Sequence, residues 1–294
     1  TRAGGYDRFA AARPSAAGGA DRFPNDRCLR GATGEVESGG GYRPYPGRAG
    51  ALTMNGSKPI DFNADLGEGM PGEAGLFAAG ITSANVACGG HAGDEAAMRM
   101  ACRLARASGV AVGAHPGYAD RASFGRSPVF LSLNGLKDLL EGQLAALAGA
   151  AAAEGVRLAH LKPHGALYHF LNNDASAARV CVEAARTFGS GPLVLFGPPD
   201  GALRDAAWSA GLCFVAEGFI DRGYRADGTL IPRGEPGALI EEESVAIAQS
   251  LRLARSGAVR TLCVHGDGPA AARLLAAVRS ALVADGFNFS TPGC

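Results

Sequence analysis

The stretch HLKPHGALYH, residues 160–169, places three histidines, a lysine and a tyrosine within ten positions of a chain that holds six histidines in all. The residues leading into it, LAHL (158–161), are apolar and strand-like, and an Asn-Asn-Asp break follows at 172–174. On an extended segment Lys162 and His164 face one side and Pro163 the other, while His160 shares their parity deeper along the strand. Ionisable groups at the end of one strand mean little. Ionisable groups at the same end of many strands mean a barrel, because (β/α) barrels build their sites at C-terminal strand ends.

Working outward, six further apolar runs read as strands: IDFNA (60–64), ITSANVA (81–87), GVAVGAH (109–115), PLVLFG (192–197), LCFVAEG (212–218) and TLCVHG (261–266). Helical patterns lie between them. Asp94 caps EAAMRMACRLARASG, Ser132 caps a run reaching Ala153, and Asp174 opens ASAARVCVEAARTFG. Three more helices follow in DGALRDAAWSAG, EESVAIAQSLRLARSG and PAAARLLAAVRSALVADG. This alternation predicts an α/β chain with a parallel sheet and helices outside. A doubly wound sheet calls for a glycine-rich phosphate loop, and neither G-x-G-x-x-G after the first strand nor G-x-x-x-x-G-K-[ST] occurs. The expectation is a seven-stranded (β/α) TIM-like barrel.

The strand ends support it. The first delivers Asn63, Asp65 and Glu68; the second Asn85, Cys88 and His91; the third His115, with Arg126 downstream. The fourth delivers Lys162 and His164, the sixth Glu217, Asp221 and Arg222, and the seventh His265 and Asp267. Each has a bland reading. A histidine beside glycine often just bonds a carbonyl. Asp221 and Arg222 read as a surface pair worth little. Cys88, His91, Cys263 and His265 offer four zinc donors, yet strand cysteines are normally inert. Chance surface polarity does not explain the joint pattern across six strands.

Composition narrows the class. Formal net charge is zero, which gives no electrostatic case for nucleic acid, and no run of 18 apolar residues suggests a membrane span. Seven scattered cysteines, including Cys102, Cys181, Cys213 and Cys263 in apolar runs, read as reduced core thiols of a cytoplasmic protein. Residues 1–53 hold eight arginines, eleven glycines, no lysine and no helical or strand period. They are expected to be a disordered leader or upstream translation, ahead of a single barrel domain at 54–294.

The motifs DFNADLGEGM, TSANVACGGHAGD, GAHPGYAD with FGR, KPHGALY, EGFIDRGYRADGTLIPRGEPGALI and CVHGD, in that order over residues 59–284, resemble the LamB/YcsF family of 5-oxoprolinase A subunits. The resemblance implies a barrel similar to the glycoside hydrolase/deacetylase barrels. It implies ATP-dependent hydrolysis of the cyclic amide 5-oxo-L-proline to L-glutamate, with ATP and Mg2+, together with separate B and C subunits. By motif, Asp65, His91, His115, Lys162, His164, Glu217, Arg222, His265 and Asp267 become catalytic candidates. Asn63, Glu68, Arg126 and Asp221 become substrate-binding candidates, with any catalytic metal unknown. Among them His164 is expected to be the general base, kept unprotonated by Lys162. Two alternatives stand beside this reading: a metal-dependent amide or acetyl hydrolase using Asp65, His91 and His115, and a non-catalytic scaffold protein.

Overall fold

The computed structural model describes residues 58–189, 191–266, 268 and 270–292. The expected leader, 1–53, lies outside them, as does Asp267.

Seven parallel strands close on themselves. They are β1 (Lys58–Leu66), β2 (Ser83–Ala87), β3 (Ala111–His115), β4 (Leu158–Leu161), β5 (Val194–Gly197), β6 (Phe214–Phe219) and β7 (Thr261–His265). Neighbours pair in sequence order from β2 to β7, and β1 pairs with both β7 and β2, which shuts the barrel. All seven expected strands are present. The register sets Asp65 opposite Asn85 on one side and His265 on the other, so these three polar groups stand at one level.

The strand β1 shows why the fold takes this form. Its sequence alternates with period two, so Ile60, Phe62, Ala64 and Leu66 join the apolar core. Asp61, Asn63 and Asp65 take the other parity and reach into the lumen, where they bond across the barrel. Around the outside lie α1 (Glu73–Ala79), α2 (Glu95–Ser108), α3 (Leu133–Ala153), α4 (Gly165–Asn173), α5 (Ala175–Arg186), α6 (Ala202–Ser209), α7 (Glu243–Ser256) and α8 (Ala271–Ala284). In α2 the buried set Met98, Ala101, Cys102 and Ala105 keeps helical spacing. Its Asp94 cap accepts from the Ala97 amide at 2.8 Å, and Ser132 and Asp174 cap α3 and α5 as expected. In α3, Leu136, Leu140, Leu144 and Leu147 are buried, each worth about 1.5–3 kcal/mol of burial.

Three elements are not legible in the pattern. The helix α1 is only seven residues long in what reads as a loop, and α4 begins directly at the polar segment Gly165–Asn173. A three-residue β8 (Phe287–Phe289) pairs with the start of β1, outside the barrel ring. Cys88, Cys102, Cys181 and Cys263 are free and buried, as expected. Cys213 is half-buried.

Candidate active site

At the C-terminal mouth opens a cavity of about 800 Å³. Asp65, His115, Lys162, His164 and His265 line its inner end, Tyr168 and Phe219 its side, and Arg126, Arg222 and Arg233 its outer part. Seven of the expected residues, Arg126 and Arg222 included, thus line one cavity at one end of the barrel.

Lys162 is the hub of the floor. Its Nζ donates to Asp65 Oδ1 at 2.9 Å, to Asn63 Oδ1 at 3.1 Å and to Cys263 Sγ at 2.9 Å. Those contacts use its three hydrogens. Glu217 Oε1, 2.8 Å away, is therefore held by charge and has no hydrogen bond of its own. Tyr168 Oη donates to Glu217 Oε2 at 3.1 Å. Burial alone would push the lysine down, but the charges of Asp65 and Glu217, with the hydrogen bond to Cys263, outweigh it and hold it well above its ordinary value. Burial likewise pushes Asp65 up, and His115 and Lys162 overcome that, so it stays ionised. Burial pushes the Cys263 thiol well up, which keeps it a neutral acceptor. Lys162 is thus fully engaged with the protein.

Beneath this layer the polar chain continues. Asn85 Nδ2 donates to Asn63 and Asp65, His160 Nε2 bonds the Asn85 amide oxygen at 2.8 Å, and Asn63 Nδ2 donates to Thr261. Thr261, Thr82 and Ser83 all donate to Asp61. Sequence reasoning missed Asp61 and Thr261, although the period-two polarity of IDFNAD carries the signal for the first.

The histidines divide into two groups. Burial, with His115 and His91 adding, pushes His164 far below its ordinary range. Both ring nitrogens of His164 are engaged: Nε2 donates to the Phe124 carbonyl at 2.9 Å, and Nδ1 faces His115 Nε2 at 2.9 Å. His115 Nδ1 in turn donates to the Lys162 carbonyl at 2.7 Å. With a hydrogen fixed at each carbonyl, the two facing nitrogens present lone pairs to each other and need one cation, a proton or a metal ion, between them. His91 stacks on His164 with ring centroids 3.6 Å apart and planes 1° from parallel, and its Nε2 lies 3.0 Å from Glu68 Oε1. Burial lowers it to about 3. It sits behind the cavity wall, where Gly117 and Gly125 press so closely on the stack that a Cβ at either would strike His91.

The second group is a dyad. Asp221 accepts from the His265 backbone amide at 2.9 Å and from its Nδ1 at 3.0 Å. This fixes the tautomer and turns Nε2 toward the cavity, 3.9 Å from Asp65 Oδ2. The ring also stacks on Phe219. Asp221 thus orients His265; Asp221, Asn63 and Glu68 are not among the residues that line the cavity. Arg222 is buried, not a surface residue, and donates to the carbonyls of Ala238 and Ile231. Arg126 reaches the cavity as expected. The zinc set with Cys88 is not assembled: its thiol bonds the Val86 carbonyl, and burial pushes it up to about 12.

Fold and site together define a parallel (β/α) barrel with a cluster of ionisable side chains in its C-terminal mouth. The chain belongs to the LamB/YcsF family, which it matches over residues 60–292. It is 44% identical to the 5-oxoprolinase A subunit of Symbiobacterium thermophilum over 256 residues, covering 80% of this chain and 96% of that one. The corresponding protein of Methylococcus capsulatus is also 44% identical, over 81% of this chain and 97% of its own. The crystal structure of a lactam utilization protein from Thermus thermophilus superposes with a TM-score of 0.71 at 38% identity, covering 79% of this chain and 99% of that chain.

Proposed function

We propose that this chain is the A component of a 5-oxoprolinase, which opens the lactam of 5-oxo-L-proline to L-glutamate at the expense of ATP, with Mg2+, alongside B and C subunits. The observation that carries the reading is the Asp221–His265 dyad, with its free Nε2 facing a cavity rimmed by arginines. The names of the relatives at 44% identity support the substrate and the place in a larger assembly.

A lactam is a stable amide, so its carbonyl carbon must be made electrophilic before water attacks. Transfer of the ATP γ-phosphoryl group to the lactam oxygen, with ADP released, does this. Water adds to the carbon, and the protonated ring nitrogen leaves to open the ring as an acyl phosphate. A second water hydrolyses that acyl phosphate to the carboxylate and phosphate. The roles on this side of the reaction follow from this reading. His265 Nε2 takes the proton of the attacking water, and Asp221 stabilises the imidazolium that forms. Arg126, Arg222 and Arg233 supply positive potential for the substrate carboxylate or a transferred phosphate. Lys162, Asp65 and Glu217 form a rigid charged floor. Phe130, fully exposed two residues from Pro128 of the rim, belongs to an apolar segment of the kind that a partner protein covers.

The test is hydrolysis of 5-oxoproline by the purified chain with and without ATP and with and without the B and C subunits. The expected result is turnover only when all are present, with His265→Asn lowering it by about 10²–10⁴-fold. ATP-independent turnover by the chain alone would overturn the coupling.

A further inference from the structure

We propose that Glu68, His115 and His164 hold a divalent transition-metal cation at the inner wall of the mouth, with coordination positions left open toward the cavity. The proposal does not rest on the lactam chemistry, and its test needs no substrate.

Four donor atoms, from Glu68, His91, His115 and His164, lie within 4.8 Å of one another. They come from the segments that follow β1, β2 and β4 and from the end of β3. Imidazole and carboxylate together suit zinc and its first-row neighbours better than magnesium or calcium. The tautomers are already set. His115 and His164 each fix one ring hydrogen on a main-chain carbonyl, that of Lys162 and that of Phe124. This is the arrangement that orients metal-bound histidines elsewhere. The nitrogens left over face each other at 2.9 Å, a separation that accommodates a cation about 2.1 Å from each. Glu68 Oε1 is 3.6 Å from His164 Nδ1 and closes the third side.

His91 is not a ligand in this arrangement. An imidazole binds a cation in the plane of its ring, and the His91 and His164 rings are parallel with centroids 3.6 Å apart, so one ion cannot lie in both planes. His91 instead donates from Nε2 to Glu68 and positions that carboxylate. Three protein ligands with an open face make a catalytic type of site, not a structural one. Both His115 and His164 line the cavity, so the open positions face incoming substrate. A second trio, Asp65, Cys263 and His265, also brings donors together. There Asp65 and Cys263 accept from Lys162, and a cation would have to expel the ammonium.

The experiment uses the full chain, stripped with a chelator, dialysed and titrated with Zn2+ by calorimetry and with Co2+ by visible absorption. One equivalent per chain is expected, with Co2+ bands in the range of histidine ligation. Glu68→Gln and His164→Asn should each weaken binding at least tenfold, while His265→Ala leaves it unchanged. Circular dichroism and melting temperature of every variant show that the fold persists. Two results overturn the proposal. One is no uptake by the folded chain, which leaves a shared proton between His115 and His164. The other is binding lost in His265→Ala and kept in His164→Asn, which moves the ion to the second trio.

Discussion

Asp61 lies at the bottom of the polar chain, surrounded by three hydroxyl donors and shut from water. Burial pushes its carboxyl up from 3.8 to about 6, against the lowering effect of Thr261, Thr82 and Ser83. A folded state that keeps a proton which the unfolded chain has released gains most below pH 3.8. That gain is lost as pH rises toward 6. The usual aspartate behaves the opposite way. Relative to Asp61→Asn, the wild type should therefore gain stability as pH falls through this window, by at most about 1.4 kcal/mol per pH unit. Urea unfolding of both proteins at about pH 4, 5 and 7 checks it, and a constant difference would show that Asp61 stays ionised when folded. At this scale the sequence was partly legible. It shows which strand ends are polar, because residue type and parity can be read directly. It does not show partners. Asp221 looks equally suited to substrate or to His265, and only the fold brings its carboxylate to 3.0 Å from the ring. The contact that ties down His164 was hidden for the same reason: the carbonyl that accepts from it belongs to Phe124, forty residues away.

The elements meet under similar constraints. Between Val112 and Gly113 the register of β3 against β4 shifts, and the His160 ring occupies the space above Gly113. No Cβ fits there. The ring is stacked on Phe196 with centroids 4.3 Å apart and bonded to Asn85, so it has nowhere to go. Gly113→Ala is expected to destabilise the barrel by about 1–3 kcal/mol through overpacking, read as a lower urea midpoint with unchanged slope. A midpoint equal to that of wild type would mean that His160 yields freely. All seven barrel strands and six helices were visible as hydrophobic period and caps, since each buries an apolar face and several begin at a recognisable capping acceptor. The missed elements are those that period cannot reveal. The helix α1 buries only Leu76 and Phe77, β8 has three residues, and α4 carries site chemistry in its first turns.

For the whole molecule, β1 is the closing stave, paired with β2, β7 and β8. Its amides can exchange only when the barrel opens as a unit. Hydrogen exchange should therefore find residues 61–66 the slowest in the chain, with a single cooperative unfolding transition. Fast exchange there, with protection elsewhere, would show that β1 detaches separately. The expected absence of a membrane span agrees with the described residues, in which no helix is long and apolar enough to cross one. The same closure has a consequence during synthesis. Asp61 and Thr261 are 200 residues apart, so at roughly 5–20 residues per second β1 waits on the order of 10–40 s for its last partner to leave the ribosome. Throughout that interval a strand carrying Asp61, Asn63 and Asp65 has an open edge, and its carboxylates stay hydrated instead of buried. Charged side chains on an open strand edge oppose collapse and pairing with other chains, so the carboxylates that are buried in the finished barrel suit the unfinished one as well.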